Sequence, residues 1–179
     1  MKSKKLHKTI VSAMFLAIGM VLPFFTGQLR EIGKMLLPMH IPVFLCGLIC
    51  GWQYGLIIGI VMPIMRSLLF SMPALYPNAI AMSFELATYG FTVGFLYSHF
   101  KKQNLRAVYI SMIVAMIVGR IIWGIAEIIL LGMQDKVFTF TAFMSGAILD
   151  SVLGIAVQLI LIPAIMLALC RTKIIAFKN

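Results

Sequence analysis

The stretch that decides the fold is Met39–Phe70, MHIPVFLCGLICGWQYGLIIGIVMPIMRSLLF. Its 32 residues are one over-long helix or two short ones, at about 1.5 Å of rise per residue. Charge sidedness separates the two readings. If the chain turns back at Gly51–Gly55 (GWQYG), both ends of the protein lie on one side of a membrane. Lys2, Lys4, Lys5, Lys8, Lys101, Lys102, Arg106, Arg171, Lys173 and Lys178 then share that side, and only Arg30, Lys34 and Lys136 oppose them. A single span would set the N-terminal lysines against the Lys101–Arg106 loop. Basic residues gather on the cytoplasmic face of membrane proteins, so the hairpin is expected.

The rest of the chain supports a membrane reading. It has 179 residues, 62% of them hydrophobic and 11% charged. One small core cannot bury that much apolar side chain, and strand-type alternation is absent, so the spans are helical. Thr9–Thr26, Ala79–Ser98, Leu105–Met133 and Phe140–Leu169 are the other apolar segments. The expectation is an all-α integral membrane protein over residues 1–179. It has six transmembrane helices in one bundle and both termini in the cytoplasm. The N-terminal lysines and apolar run lack a small-residue cleavage site, so they read as a retained first span rather than a signal peptide. The net charge of +10 sits in tails and loops, not in a patch, which argues against nucleic acid.

Glycines 47, 51, 55 and 59 recur every four residues, a spacing that lets helices approach closely. Because the ladder straddles the turn, Gly51 and Gly55 are expected to serve the turn and the other two the packing. Cys46 and Cys50 read as small packing residues, with no histidine or carboxylate nearby to complete a metal site.

Charges inside apolar helices are costly and face the bundle interior. In VGRIIWGIAEIIL (Val118–Leu130), Arg120, Trp123 and Glu127 stand at i, i+3 and i+7, on one helical face. Glu85 and Tyr89 share a face of the preceding span. Asp150 lies at Arg120's depth and is its expected counter-ion. Arg66, Asn78 and His40 mark the outer ends of neighbouring spans, with Arg66 a candidate partner for Glu85 or Glu127. One reading makes these residues helix-tying pairs. The sharper one makes Arg66, Asn78, Glu85, Tyr89, Arg120, Trp123, Glu127, Asp150 and His40 the lining of a binding cavity, apolar with a few convergent polar groups. No phosphate-cradling loop, zinc motif or nucleophile elbow is present. An enzyme is therefore not expected, nor is a metal or cofactor.

These features together resemble the substrate-binding membrane subunits, or S components, of energy-coupling factor (ECF) transporters. The resemblance rests on chain length, six spans, basic cytoplasmic ends, the glycine-rich hairpin with LLPMHIPVFLCGLICG, and the A-x-x-x-A of AMFLA at Ala13 and Ala17. It implies a bacterial cytoplasmic membrane protein that takes up a small water-soluble vitamin together with a membrane coupling subunit and two ATPases. It also implies that Ala13 and Ala17 dock the coupling subunit, and that Gly27–Met39 and Phe70–Asn78 close an extracellular-side cavity. Two cavity arginines suit a carboxylate, which puts pantothenate first. Three acids suit a cationic or hydroxylated ring of pyridoxine or pyrimidine type. The competing expectation is a small scaffold protein of the cell-envelope machinery with no ligand.

Overall fold

The computed structural model describes residues 2–25, 37–135, 139–147 and 151–172. They form α1 (Lys2–Phe25), α2 (His40–Cys50), α3 (Trp52–Phe70), α4 (Ile80–His99), α5 (Leu105–Gly132), α6 (Phe140–Ala147) and α7 (Val152–Arg171), with a π-helical turn at Leu75–Ala79 before α4. Among the described residues, five segments are long and apolar enough to cross a membrane: Lys5–Phe24, Trp52–Phe70, Leu75–His99, Leu105–Gly132 and Val152–Arg171. The protein is a multi-pass membrane protein.

The hairpin is present. The chain breaks at Gly51, whose φ of 104° lies where residues with a Cβ rarely go. Lys8 Nζ lies 3.9 Å from the place a Gly51 side chain would take, so the turn sits beside the start of α1. The second half of the hairpin, α3, is a candidate span. The first half, α2, has only 11 residues, and all of them except Ile49 are buried. It packs against α1, α3, α4 and α7. A helix that is apolar all round belongs at the centre of a bundle, and α2 stands there.

Glycine lets the central helices touch through their backbones. A Cβ on Gly47 or Gly55 would lie 2.6 Å from the Gly90 carbonyl oxygen, and one on Gly59 would meet the backbone of Leu86 and Ala87. One on Gly94 would lie 2.6 Å from the Gly47 oxygen and the Trp52 nitrogen. This corrects the expected division of the ladder. Gly51 alone makes the turn, while Gly55 belongs to the packing, because it faces α4 one helical turn beyond the break.

Among the described residues, two apolar clusters fill the interior. One joins α2, α4, α5 and α7 through Phe44, Leu48, Val93, Met112 and Ile162. The other joins α2, α3 and α4 through Val43, Cys46, Ile58, Met62 and Leu86, with Val11, Phe15, Leu16 and Met20 of α1 packed onto it. The opposite face of α1 carries Ala13, Met14, Ala17, Ile18 and Val21, all exposed. Where one helix was expected over Phe140–Leu169, the described residues form α6 and α7, and α7 starts only at Val152.

The ends are fixed locally. Ser71 takes a left-handed conformation (φ 57°), and its N–H donates to the Ser67 carbonyl at 2.9 Å, closing α3. Asn104 caps α5 by accepting from the Ala107 N–H at 3.0 Å.

Candidate functional site

Three helices bring polar side chains to one oxygen. Glu85 and Tyr89 stand one turn apart on α4, and the Tyr89 hydroxyl donates to Glu85 Oε1 at 2.8 Å. From α5 the Arg120 guanidinium reaches the same oxygen at 2.9 Å. From the first residue of α2, His40 Nε2 lies 3.7 Å from it. The Glu85 side chain is 3% exposed and that of Arg120 13%. An ion pair this far from water is held together by charge-assisted hydrogen bonds, and losing either partner strands the other.

The aromatic residues around the cluster are placed by small neighbours. Tyr89 lies stacked on Phe44 at 5.0 Å between ring centroids. A Cβ at Gly119 of α5 would collide with the Tyr89 ring, so glycine there lets the ring lie against the α5 backbone. His40 and Tyr89 rings are 5.3 Å apart. On α5 the Arg120 guanidinium carbon sits 6.0 Å from the Trp123 ring centre, within cation–π range. Trp123 also stacks with Phe143 of α6 at 6.1 Å. Glu127, two turns beyond Arg120, is 6% exposed and lies within coulombic reach of Glu85.

The remaining expected residues lie apart from this cluster or beyond the described residues. Arg66 is buried, but it faces α1. It donates to the Met20 carbonyl at 2.8 Å, and its guanidinium lies 5.4 Å from the Phe24 ring and 5.6 Å from the Phe70 ring. The expected pairing of Arg66 with Glu85 or Glu127 is therefore corrected, because α3 turns that side chain toward α1. Asn78 is exposed in the π-helical turn. Nearby, Tyr76 donates its hydroxyl to the Leu130 carbonyl, tying the α3–α4 connection to the end of α5. Asp150 lies outside the described residues. Among those described, the carboxylate on Arg120 is Glu85.

The family described as "ECF transporter, substrate-specific component" matches residues 7–175, nearly the whole chain. The chain belongs to this family. No curated protein and no solved structure matches it. S components bind a small-molecule substrate for a transporter and are not enzymes. They work with a membrane coupling subunit and ATP-binding subunits.

In this S component, sequence reasoning missed Phe44 and Tyr76. Phe44 was detectable: it stands at i+4 from His40 on α2, so the two share a face. Tyr76 had no such signal, because its partner is a backbone carbonyl far along the chain. His40, expected to open the second span from outside, is the first residue of α2 and is 1% exposed.

Proposed function

We propose that this S component is the high-affinity binding subunit for uptake of a small water-soluble vitamin or vitamin precursor. It works in the cytoplasmic membrane of a bacterium with one coupling subunit and two ATPases. The observation that carries this reading is the convergence of His40, Glu85, Tyr89 and Arg120, from three helices, inside an otherwise apolar bundle. Pure helix ties would need a pair of charges. This cluster adds a histidine whose ring nitrogens have no hydrogen-bond partner among the described residues, and a second buried carboxyl, Glu127, on the same side of α5. Trp123 and Phe143 give it an apolar wall. The ligand is proposed to sit among these side chains, with Asp150 adding to them, while Asn78 and Arg66 stand at the margins. Pantothenate and ring compounds of pyridoxine or pyrimidine type are the candidates.

The proposed topology has six crossings, with the α2–α3 hairpin supplying two and both termini cytoplasmic. The Gly51 turn beside Lys8 supports it. The exposed Ala13 and Ala17 support a docking face on α1 for the coupling subunit, since small residues allow close helix approach.

The test is equilibrium binding of the purified chain to pantothenate, pyridoxine and 4-amino-5-hydroxymethyl-2-methylpyrimidine. Saturable one-to-one binding of one of them is expected. A protein that binds none and co-purifies with cell-envelope enzymes would be the scaffold instead. Single-cysteine labelling checks topology: sites in 101–106 should react only from the cytoplasmic side.

A further inference from the structure

We infer that the ligand is a small nitrogen heterocycle that presents N–H donors, neutral or cationic, to Glu127 and His40, and that Arg120 braces the site rather than hooking an anion. This rests on the binding-subunit reading above and names the ligand class for that site.

Arg120 is the first reason. Its guanidinium is held by Glu85 at 2.9 Å and lies over Trp123. Among the described residues the other buried arginine, Arg66, serves α1 and the Phe24 and Phe70 rings and takes no part in the cluster. Neither cation stands unopposed where a ligand carboxylate would need it.

The second reason is the balance of charge. Glu85 and Arg120 cancel. Glu127 is buried, and among the described residues it has no cation within ion-pair distance and no hydrogen bond. The described cluster therefore carries one carboxyl more than it has arginines. A carboxylate ligand would meet a further carboxyl with no cation to spare, whereas N–H groups would satisfy that carboxyl.

His40 is the third and independent observation. It is 1% exposed, yet neither ring nitrogen has a hydrogen-bond partner among the described residues. Buried polar groups are nearly always paired. Its Nε2 points to the Glu85 oxygen at 3.7 Å, too far for a hydrogen bond. A neutral imidazole offers one donor and one acceptor, which suits the edge of a nitrogen heterocycle. Tyr89, Arg120 and His40 all approach Glu85 at Oε1.

The experiment uses the purified full chain in nanodiscs and two sets of probes. The donor-bearing set is 4-amino-5-hydroxymethyl-2-methylpyrimidine, pyridoxamine and thiamine; the carboxylate set is pantothenate and nicotinate. A donor-bearing probe should bind, with both carboxylates weaker by roughly a hundredfold or more. Glu127→Gln should weaken the bound probe by roughly tenfold to a hundredfold, since a hydrogen bond to a charged group is lost. The same variant should stay monodisperse with an unchanged or raised melting temperature, and Glu127→Asp should recover part of the affinity. Tighter binding of pantothenate or nicotinate would overturn the inference and leave the vitamin-binding reading intact. So would a Glu127→Gln variant with wild-type affinity. Failure of every probe in both sets would remove the reading and the inference together.

Discussion

The two halves of α4 are built on opposite principles. The C-terminal half presents Gly90 and Gly94, which meet the backbones of α2 and α3 with no side chain between. The N-terminal half presents Glu85 and Tyr89, whose side chains meet those of α2 and α5. The first contact is close, apolar and tolerant of nothing larger than hydrogen. The second is polar and depends on charge. One helix thus carries a backbone seam, which Gly59 extends to Leu86 and Ala87, and a polar site in its N-terminal half, so damage to the two should look different.

The largest effect is expected at the glycine seam. Gly90→Leu drives a side chain into the Gly55 backbone, and because backbone cannot yield as a side chain can, no monodisperse protein should be recovered by size-exclusion chromatography. A folded Gly90→Leu variant would show that the seam is looser than its geometry. Next comes Glu85→Ala, which strands a buried guanidinium and should cost about 3–5 kcal/mol of stability, read as a lowered melting temperature, together with loss of binding. The double variant Glu85→Ala/Arg120→Met should regain most of the stability but not the affinity; regained binding would make the polar half mere bracing. Arg66→Ala should cost about 1–3 kcal/mol from the lost carbonyl bond and two ring contacts, and ligand affinity should hold. If affinity fell with it, the site would extend to the α1–α3 side. The smallest stability change belongs to Ala13→Leu/Ala17→Leu on the exposed face of α1, within about 0.5 kcal/mol. Binding by the isolated chain should persist while uptake by the assembled transporter fails. Normal uptake would sink the docking assignment.

Much of this was legible in the sequence. The hairpin was readable because charge sidedness and a glycine-marked turn pointed to the same break, now seen at Gly51. The face shared by Arg120 and Trp123 was readable because helical periodicity alone determines it. That Glu85 meets Arg120 was not. Counting residues along a helix estimates depth but not direction around the axis; Asp150, the expected counter-ion, lies outside the described residues. The same blindness hid Arg66's turn toward α1. Gly55 was misassigned because a sequence shows how small a residue is, not whose backbone it meets. Gly90 and Gly94 supply that backbone on α4, and nothing local marked them as its counterpart.

The brevity of α2 has a consequence for the shape of the interior. Eleven residues rise about 16 Å, roughly half of an apolar membrane core about 30 Å thick. A full-length central helix would carry continuous backbone through the level of Glu85 and leave little room for anything else. A half-length one begins there, and its first residue, His40, meets the Glu85 oxygen at 3.7 Å. In its first turn the His40 N–H is taken by the Leu37 carbonyl at 3.1 Å, and Pro42 has no N–H to offer. The start of a helix also carries partial positive charge, so α2 brings its positive end to the level of the Glu85 carboxylate. Lengthening α2 by one turn would carry its backbone about 5.4 Å further, past the level at which His40 now meets Glu85.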